Sequence, residues 1–503
     1  MKFVQKELAK LKWYRQGAAV KILYISPPYS SCVAMTVDQK TVDLQLCFLT
    51  YFSNDYATLF FSKKDAKRVT NYFLHREQNI PGDMWSRYQK WRKSYKQFQD
   101  SVVKGLPWAG IQQLSNAELL KCYYVEIEKY HSLWRESMFH DAFDVFGETL
   151  IYNVCDKAGV RLTSAEVDLL VQSPYLLPTQ IERLDIARLA AAAERNPALQ
   201  GLIKKGASIG VITKRFPFFV QKIKAHTDTY FWSLSDYAFV RRLTSSHFLN
   251  TIRELLKNPK KLNNELRLPA VLKRDLLKKK VFIRRMKIPH AVLLVANMIS
   301  IVATWRDERK AMNQMGNELL KRYLQEFTRR SRVPLREAEY ALYWEAEKLL
   351  SPTSQYRKIL QTRRRGIFVA IPKKTTLQFV SGREAKALLQ FMNSLVVTDN
   401  VVGRTAYPGK VIGTAKIVLS QKDFKKFQRG DILVAPNTRP EYIPVMKIAG
   451  GIVTEEGGIT SHAAIVSREL KIPAVVGAQG VLEQIKEGDI IEVDANRGII
   501  KKV

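Results

Sequence analysis

The stretch Gly450-Gly-Ile-Val-Thr-Glu-Glu-Gly-Gly-Ile-Thr-Ser-His-Ala-Ala-Ile-Val-Ser-Arg-Glu-Leu470 decides how the C-terminal part of this chain folds. Ile452 to Thr454 is a β-type run. Gly457 and Gly458 follow as a turn in which the backbone can bend sharply and approach a ligand closely. After Thr460 and Ser461 comes His462, and Ala463-Ala464-Ile465-Val466 opens a helix. Ser461 is a favourable N-cap, which places His462 in the first helical turn. Backbone N–H groups there have no partner within the helix and attract anions such as phosphate. The hydroxyls of Thr454, Thr460 and Ser461 are expected to donate to phosphate oxygens.

A histidine that accepts a phosphoryl group attacks as the neutral imidazole, and its ordinary pKa lies near neutrality. A helix N-terminus disfavours the imidazolium by roughly 0.3–1 kcal/mol, less than one pKa unit at about 1.4 kcal/mol per unit. The pattern therefore sets a nucleophile beside a phosphate cradle. The same spacing also suits a plain glycine turn whose histidine merely begins a helix.

A longer pattern separates the two. Thr454-x-x-Gly457-Gly458-x-x-Ser461-His462-Ala463-Ala464-Ile465 continues through Ser467-Arg468-Glu469-Leu470-x-Ile472-Pro473-Ala474-Val475-Val476-Gly477. This resembles the signature of the phosphohistidine swivelling domain, the mobile domain of PEP-utilising enzymes such as phosphoenolpyruvate (PEP) synthase and pyruvate phosphate dikinase. The resemblance extends upstream through Gly430-Asp431-Ile432-Leu433-Val434-Ala435-Pro436 and Pro440-x-x-x-Pro444. Downstream it reaches Gly488-Asp489 and Val493-Asp494-Ala495-Asn496-x-Gly498. It implies that His462 carries a phosphoryl group between two active sites.

The chain has 503 residues, enough for two to four domains. Its net charge of +34 is unevenly spread: from Val396 onward 15 Lys and Arg face 12 Asp and Glu, so +31 resides in the preceding body. Such a surplus suits an acidic protein or a nucleic acid, or is a general surface property. Cys32, Cys47, Cys122 and Cys155 show no metal-ligand spacing and read as reduced core residues. The N-terminus lacks a signal-peptide core, and the apolar run Ala291 to Trp305 is too short to span a bilayer. The expectation is a cytoplasmic protein with no membrane partner.

The fold expected is multi-domain: a small α/β N-terminal unit over 1–80, a large mainly α-helical body over 81–395, and a C-terminal α/β swivelling domain over 396–503. In the first unit, Ala18–Ile25, Gln45–Phe52 and Ala57–Phe61 read as strands, and Ser62 starts a helix. In the body, Ser115 and Thr163 are helix starts, each with a Glu three residues on. The body weakly resembles the helical linker of PEP synthase-like proteins, at Tyr230-Phe231-Trp232 and Arg306-Asp307-Glu308-Arg309-Lys310. Its six histidines read as structural, with His226, beside the aromatic cluster, the one to watch. A hinge is expected between Leu395 and Gly409. In the last domain, strands are expected at Val411–Leu419, Asp431–Ala435 and Ala474–Gly477. A helix over Glu441–Ala449 and a hairpin over Ile490–Lys502 complete it.

In the full-length relatives one active site is an ATP-grasp domain and the other a TIM barrel that binds PEP and a divalent metal. No barrel is expected after the swivelling domain here, and the body shows neither a Walker-type loop nor a recognisable ATP-grasp pattern. No metal ligand and no cofactor is therefore assigned within the chain. Mg and ATP or PEP are expected on a separate ATP-grasp or PEP-binding polypeptide. Three functions follow: a carrier subunit of a split phosphotransferase, a self-contained divergent phosphotransferase, or a basic binding or regulatory protein that retains the domain.

Overall fold

The computed structural model describes residues 2–503 apart from 20, 25, 27–47, 54–55, 106–107, 371–377, 396–400 and 459–460. The N-terminal sheet is antiparallel, with strands β1 (Trp13–Ala19), β2 (Phe48–Ser53), β3 (Tyr56–Ser62), β4 (Ile367–Ala370) and β5 (Gln378–Ser381) in the order β1-β3-β2-β4-β5. Period-two alternation assigns its faces. Phe52, Ala57 and Phe61 enter the body core, whereas Trp13, Leu49, Tyr51 and Phe60 pack with Ala385, Leu388 and Met392 on the other side.

Two expectations change here. The run Ala18–Ile25 is not a strand: β1 ends at Ala19, Ile22–Tyr24 are helical, and Val20 and Ile25 lie outside the described residues. Ile22, Leu23 and Tyr24 are buried in the body core, and Leu23 N–H donates to the carbonyl of Glu339. The apolar run is thus a plug rather than a strand. Strands β4 and β5, read from sequence as part of the helical body, join the first sheet across some 300 residues, a pairing that local periodicity does not carry. Gln45 to Cys47 of the second expected strand lie outside the described residues.

The body is mostly helical. Helices α1 (Lys63–Asn79), α2 (Asp83–Lys104), α3 (Asn116–Ser137) and α4 (His140–Lys157) surround α5 (His290–Ser331), a 42-residue rod. Ser62 caps α1 by accepting from Asp65 N–H, and Ser115 and Thr163 each complete a capping box with Glu118 and Glu166. Each cap contributes about 1 kcal/mol. The run Ala291–Trp305 is the first third of α5, and its Trp305 packs with Trp91, Tyr88 and Phe139 in the core. No helix among the described residues is long and apolar enough to cross a membrane. Residues 186–262 hold a second, separate helical core. Helix α6 (Gly382–Ser394) covers the outer face of the first sheet.

The C-terminal sheet has eight strands: β6 (Val401–Val402), β7 (Arg404–Tyr407), β8 (Lys410–Ile417), β9 (Ile432–Ala435), β10 (Gly451–Thr454), β11 (Ala474–Val476), β12 (Ile490–Asp494) and β13 (Ile499–Lys502). Their order is β6-β13-β12-β8-β9-β10-β11-β7. Strands β8 to β11 run parallel, and the flanking strands are antiparallel. Both faces are covered, so β9 and β10 are buried at every position. Leu433, Ala435 and Ile452 face helices α7 (Ile443–Met446) and α8 (His462–Leu470), while Ile432, Val434 and Val453 face the opposite core. The helix expected over Glu441–Ala449 is shorter: a 3-10 turn at Pro440–Tyr442 leads into α7. Of the expected hinge, residues 401–402 and 404–407 are sheet strands, and 396–400 lie outside the described residues.

Candidate functional site

Parallel strands present their carboxyl ends at one edge, and loops at that edge build sites. Strand β10 ends at Thr454, and the chain runs through Glu455, Glu456, Gly457 and Gly458 toward α8. Ser461 is the N-cap of α8, with φ −67° and ψ 159°, and its Oγ accepts from Ala464 N–H at 3.3 Å. His462 is the first residue of α8 and is half-buried. The adjacent strand β9 delivers a second loop to the same edge, and from it Thr438 reaches the imidazole. Thr438 Oγ1 lies 2.9 Å from His462 Nδ1.

Each residue singled out from the sequence has a definite place. Gly457 holds φ +111°, and a Cβ there would sit 2.9 Å from Ser461 Cβ and 3.0 Å from its Oγ. Only glycine fits both the left-handed backbone and the space. The Gly458 carbonyl accepts from Ser461 N–H at 2.9 Å, closing the turn. Thr454 is fully buried, and its hydroxyl donates to the Glu456 carbonyl at 2.7 Å. That hydroxyl shapes the turn instead of facing the cradle. Ser461 Oγ serves the helix cap. Thr460 lies outside the described residues. Thr438 was not singled out from the sequence, although a hydroxyl residue three positions after the end of the apolar strand Ile432–Ala435 is the signal that marks it.

Burial pushes the His462 imidazole below its ordinary pKa, and the carboxylates of Glu441 and Glu469 partly oppose this. The net effect favours the neutral ring at neutral pH. With Nδ1 engaged by Thr438, Nε2 is the nitrogen left to react.

His226 and His140 are buried in the helical body. His226 packs between Tyr230 and Phe248, with Nε2 3.4 Å from Glu182 Oε1. Phe231 and Trp232 are core residues. His140 is fully buried against Trp305. In the Arg306–Lys310 run, Arg309 donates to Asp141, Arg306 pairs with Asp144 and Glu308 with Arg92, tying α5 to its neighbours. Among the described residues no group of three or more His, Cys, Asp or Glu could hold a metal ion.

The back of the loop between β10 and α8 meets the body. Arg15 on β1 lies 3.1 Å from Glu455 and 2.8 Å from Glu483, and Arg404 on β7 pairs with Glu148 on α4. None of these charges is among those acting on His462, whose electrostatic neighbours all belong to its own domain.

Comparison with known proteins reaches this part of the chain. Residues 427–498 match the family described as PEP-utilising enzyme, mobile domain. The probable phosphoenolpyruvate synthase of Methanothermobacter thermautotrophicus is 49% identical over 100 residues, 20% of this chain and 15% of that protein. The phosphoenolpyruvate synthase of Aeropyrum pernix is 46% identical over 101 residues, 20% of this chain and 12% of that protein. Pyruvate kinase 2 of Synechocystis sp. is 34% identical over 125 residues, 25% of this chain and 20% of that protein. The chain thus spans a fifth or less of these relatives' length. A solved structure of aconitase X from Thermococcus kodakaraensis covers 21% of this chain at 20% identity and a TM-score of 0.18, too low to bear on the fold. Over residues 427–498 the chain thus matches the PEP-utilising enzyme mobile domain, and proteins named phosphoenolpyruvate synthase are similar to it there.

Proposed function

We propose that this chain is a phosphoryl carrier, loaded on His462 Nε2, that serves active sites on separate polypeptides. The observation that carries this reading is the imidazole held by Thr438 through Nδ1 at 2.9 Å, in the first turn of α8 beside the Gly457–Gly458 loop. With the Nδ1 proton donated to Thr438 Oγ1, the lone pair sits on Nε2. That lone pair attacks the donor's phosphorus. The N–P bond forms as the P–O bond to the leaving group breaks, and the leaving oxygen takes the electron pair. Transfer to an acceptor reverses these steps. The unpartnered N–H groups at the start of α8 favour the added negative charge.

Donor and acceptor chemistry is assigned to partners: a nucleotide-binding polypeptide of the ATP-grasp type and a PEP-binding one, with Mg and ATP or PEP at their sites. The support is the site's composition, which supplies an imidazole and a hydroxyl beside it. Mass spectrometry at alkaline pH on protein isolated from its own cells tests this. Acid-labile phosphate on His462, lost in His462→Ala, is the expected result. Labelling of the purified chain by ATP or PEP alone would replace the carrier with a self-contained phosphotransferase. Absence of phosphate, with the fold intact, would leave a binding or regulatory protein.

A further inference from the structure

The second helical core of the body carries a surface that the carrier chemistry does not use. Between Lys204 and Thr227 the sequence has six cations, Lys204, Lys205, Lys214, Arg215, Lys222 and Lys224, and no carboxylate. All six are exposed. None forms an ion pair or side-chain hydrogen bond among the described residues. Two helices, Ile209–Arg215 and Pro217–Tyr230, joined at Phe216, carry the last four of these cations, and Lys204 and Lys205 end the helix before them. On the second, Phe219, Ile223 and His226 fall on the buried face. Phe218 and Lys222, one turn apart, point to water.

Phe218 is 81% exposed, against 9% for its neighbour Phe219. The lobe core is complete without it. Lys214 and Arg215 end the preceding helix just before it, so the ring stands between cations on both sides. The interface cores of protein partners are depleted of charge, whereas Lys214, Arg215, Lys222 and Lys224 charge these two helices with no carboxylate among them up to Thr227. A free aromatic ring flanked by unpaired cations instead matches a nucleic-acid strand, in which flat bases alternate with phosphates. A duplex keeps its base faces stacked inside, so the ring has work to do only on a single strand.

We infer that the face of Lys214, Arg215, Phe218 and Lys222 binds single-stranded nucleic acid, with a base stacked on Phe218 and phosphates on the cations. Fluorescence anisotropy of the full chain with a short labelled oligouridylate, and with a duplex of the same length, tests it across a salt series. The single strand should bind more tightly than the duplex. Phe218→Ala should weaken single-strand binding about tenfold and leave the duplex and the salt slope unchanged. Lys214→Ala with Arg215→Ala should reduce the slope of log K against log salt by about 1.4. Both variants change exposed side chains and should melt as the parent does, with His462 labelling unaltered. Equal binding of strand and duplex, or no effect of Phe218→Ala, would overturn the inference and leave a diffuse attraction for polyanions. Competition by polyglutamate as strong as by unlabelled oligouridylate would overturn it in favour of an acidic protein.

Discussion

The helical body and the C-terminal domain use buried polar groups in opposite ways. In the body they cross-link helices. Arg309 donates to the Ser137 carbonyl and to Asp141, and Tyr130 OH donates to Asn313 at 2.5 Å. Arg330, held by the fully buried Glu326 of the same helix, donates to Asn116 on α3 and to the Leu114 carbonyl. Their capacity is consumed in fixing α5 against its neighbours. In the C-terminal domain the parallel strands are apolar on both faces, and polar side chains gather at their carboxyl edge. There Thr438 engages one nitrogen of His462 and leaves the other to react. Polar groups that satisfy one another stiffen a core, while a half-satisfied one at an edge is available for chemistry. The charge follows the same division: +31 before Val396 and +3 from there onward.

The largest test of this contrast lies in the body. Gly316 on α5 faces the ring of Tyr130, and a Cβ would fall 2.4 Å from it. Because the ring is fully buried, Gly316→Ala should cost about 3 kcal/mol through overpacking. Calorimetry should show the body transition lowered while His462 at permissive temperature is still labelled at the parental rate. A common downward shift of both would make the two regions one cooperative unit and break the comparison. In the other region, Gly457→Ala forces a non-glycine residue to φ +111° against Ser461, at about 1–3 kcal/mol. Labelling of His462 should fall and the body transition should stay in place.

A smaller effect sharpens the role of the edge. Thr438→Val keeps the shape and removes the bond to Nδ1, worth about 1 kcal/mol, so labelling should slow roughly fivefold. An unchanged rate would show that the ring needs no orienting hydroxyl. The smallest effect is a pH shift. Burial lowers the His462 pKa, so its neutral form persists to lower pH than that of an ordinary imidazole. The pH at half-maximal labelling should lie correspondingly low. Glu441 raises that pKa, so Glu441→Gln should move the midpoint further toward acid. A move toward alkali would contradict the assigned electrostatics.

Much of the domain was legible because its signals are short. The Ser461 cap spans three residues, the glycine turn two, and the buried strands Ile432–Ala435 and Gly451–Thr454 read as apolar runs. The caps at Ser62, Ser115 and Thr163 were legible for the same reason. The first sheet was only partly so. Ile22–Tyr24 has strand-like composition but is drawn into the body core, and β4 and β5 pair with β2 from the far end of the body. Nothing in the spacing of Thr454 reveals that its hydroxyl turns back to the Glu456 carbonyl.

The sequence by itself determined that His462 stands in the first turn of a helix, behind a glycine bend and a serine cap, because these depend on hydrogen bonds and backbone angles within a few residues. The tertiary structure alone decided that Thr438 engages Nδ1, that burial lowers the imidazole's pKa, and that Phe218 stands outside its core while Phe219 stands within. Those outcomes depend on which strands lie side by side and which helix faces meet. The packing of the whole chain sets both, so no local window of sequence contains them.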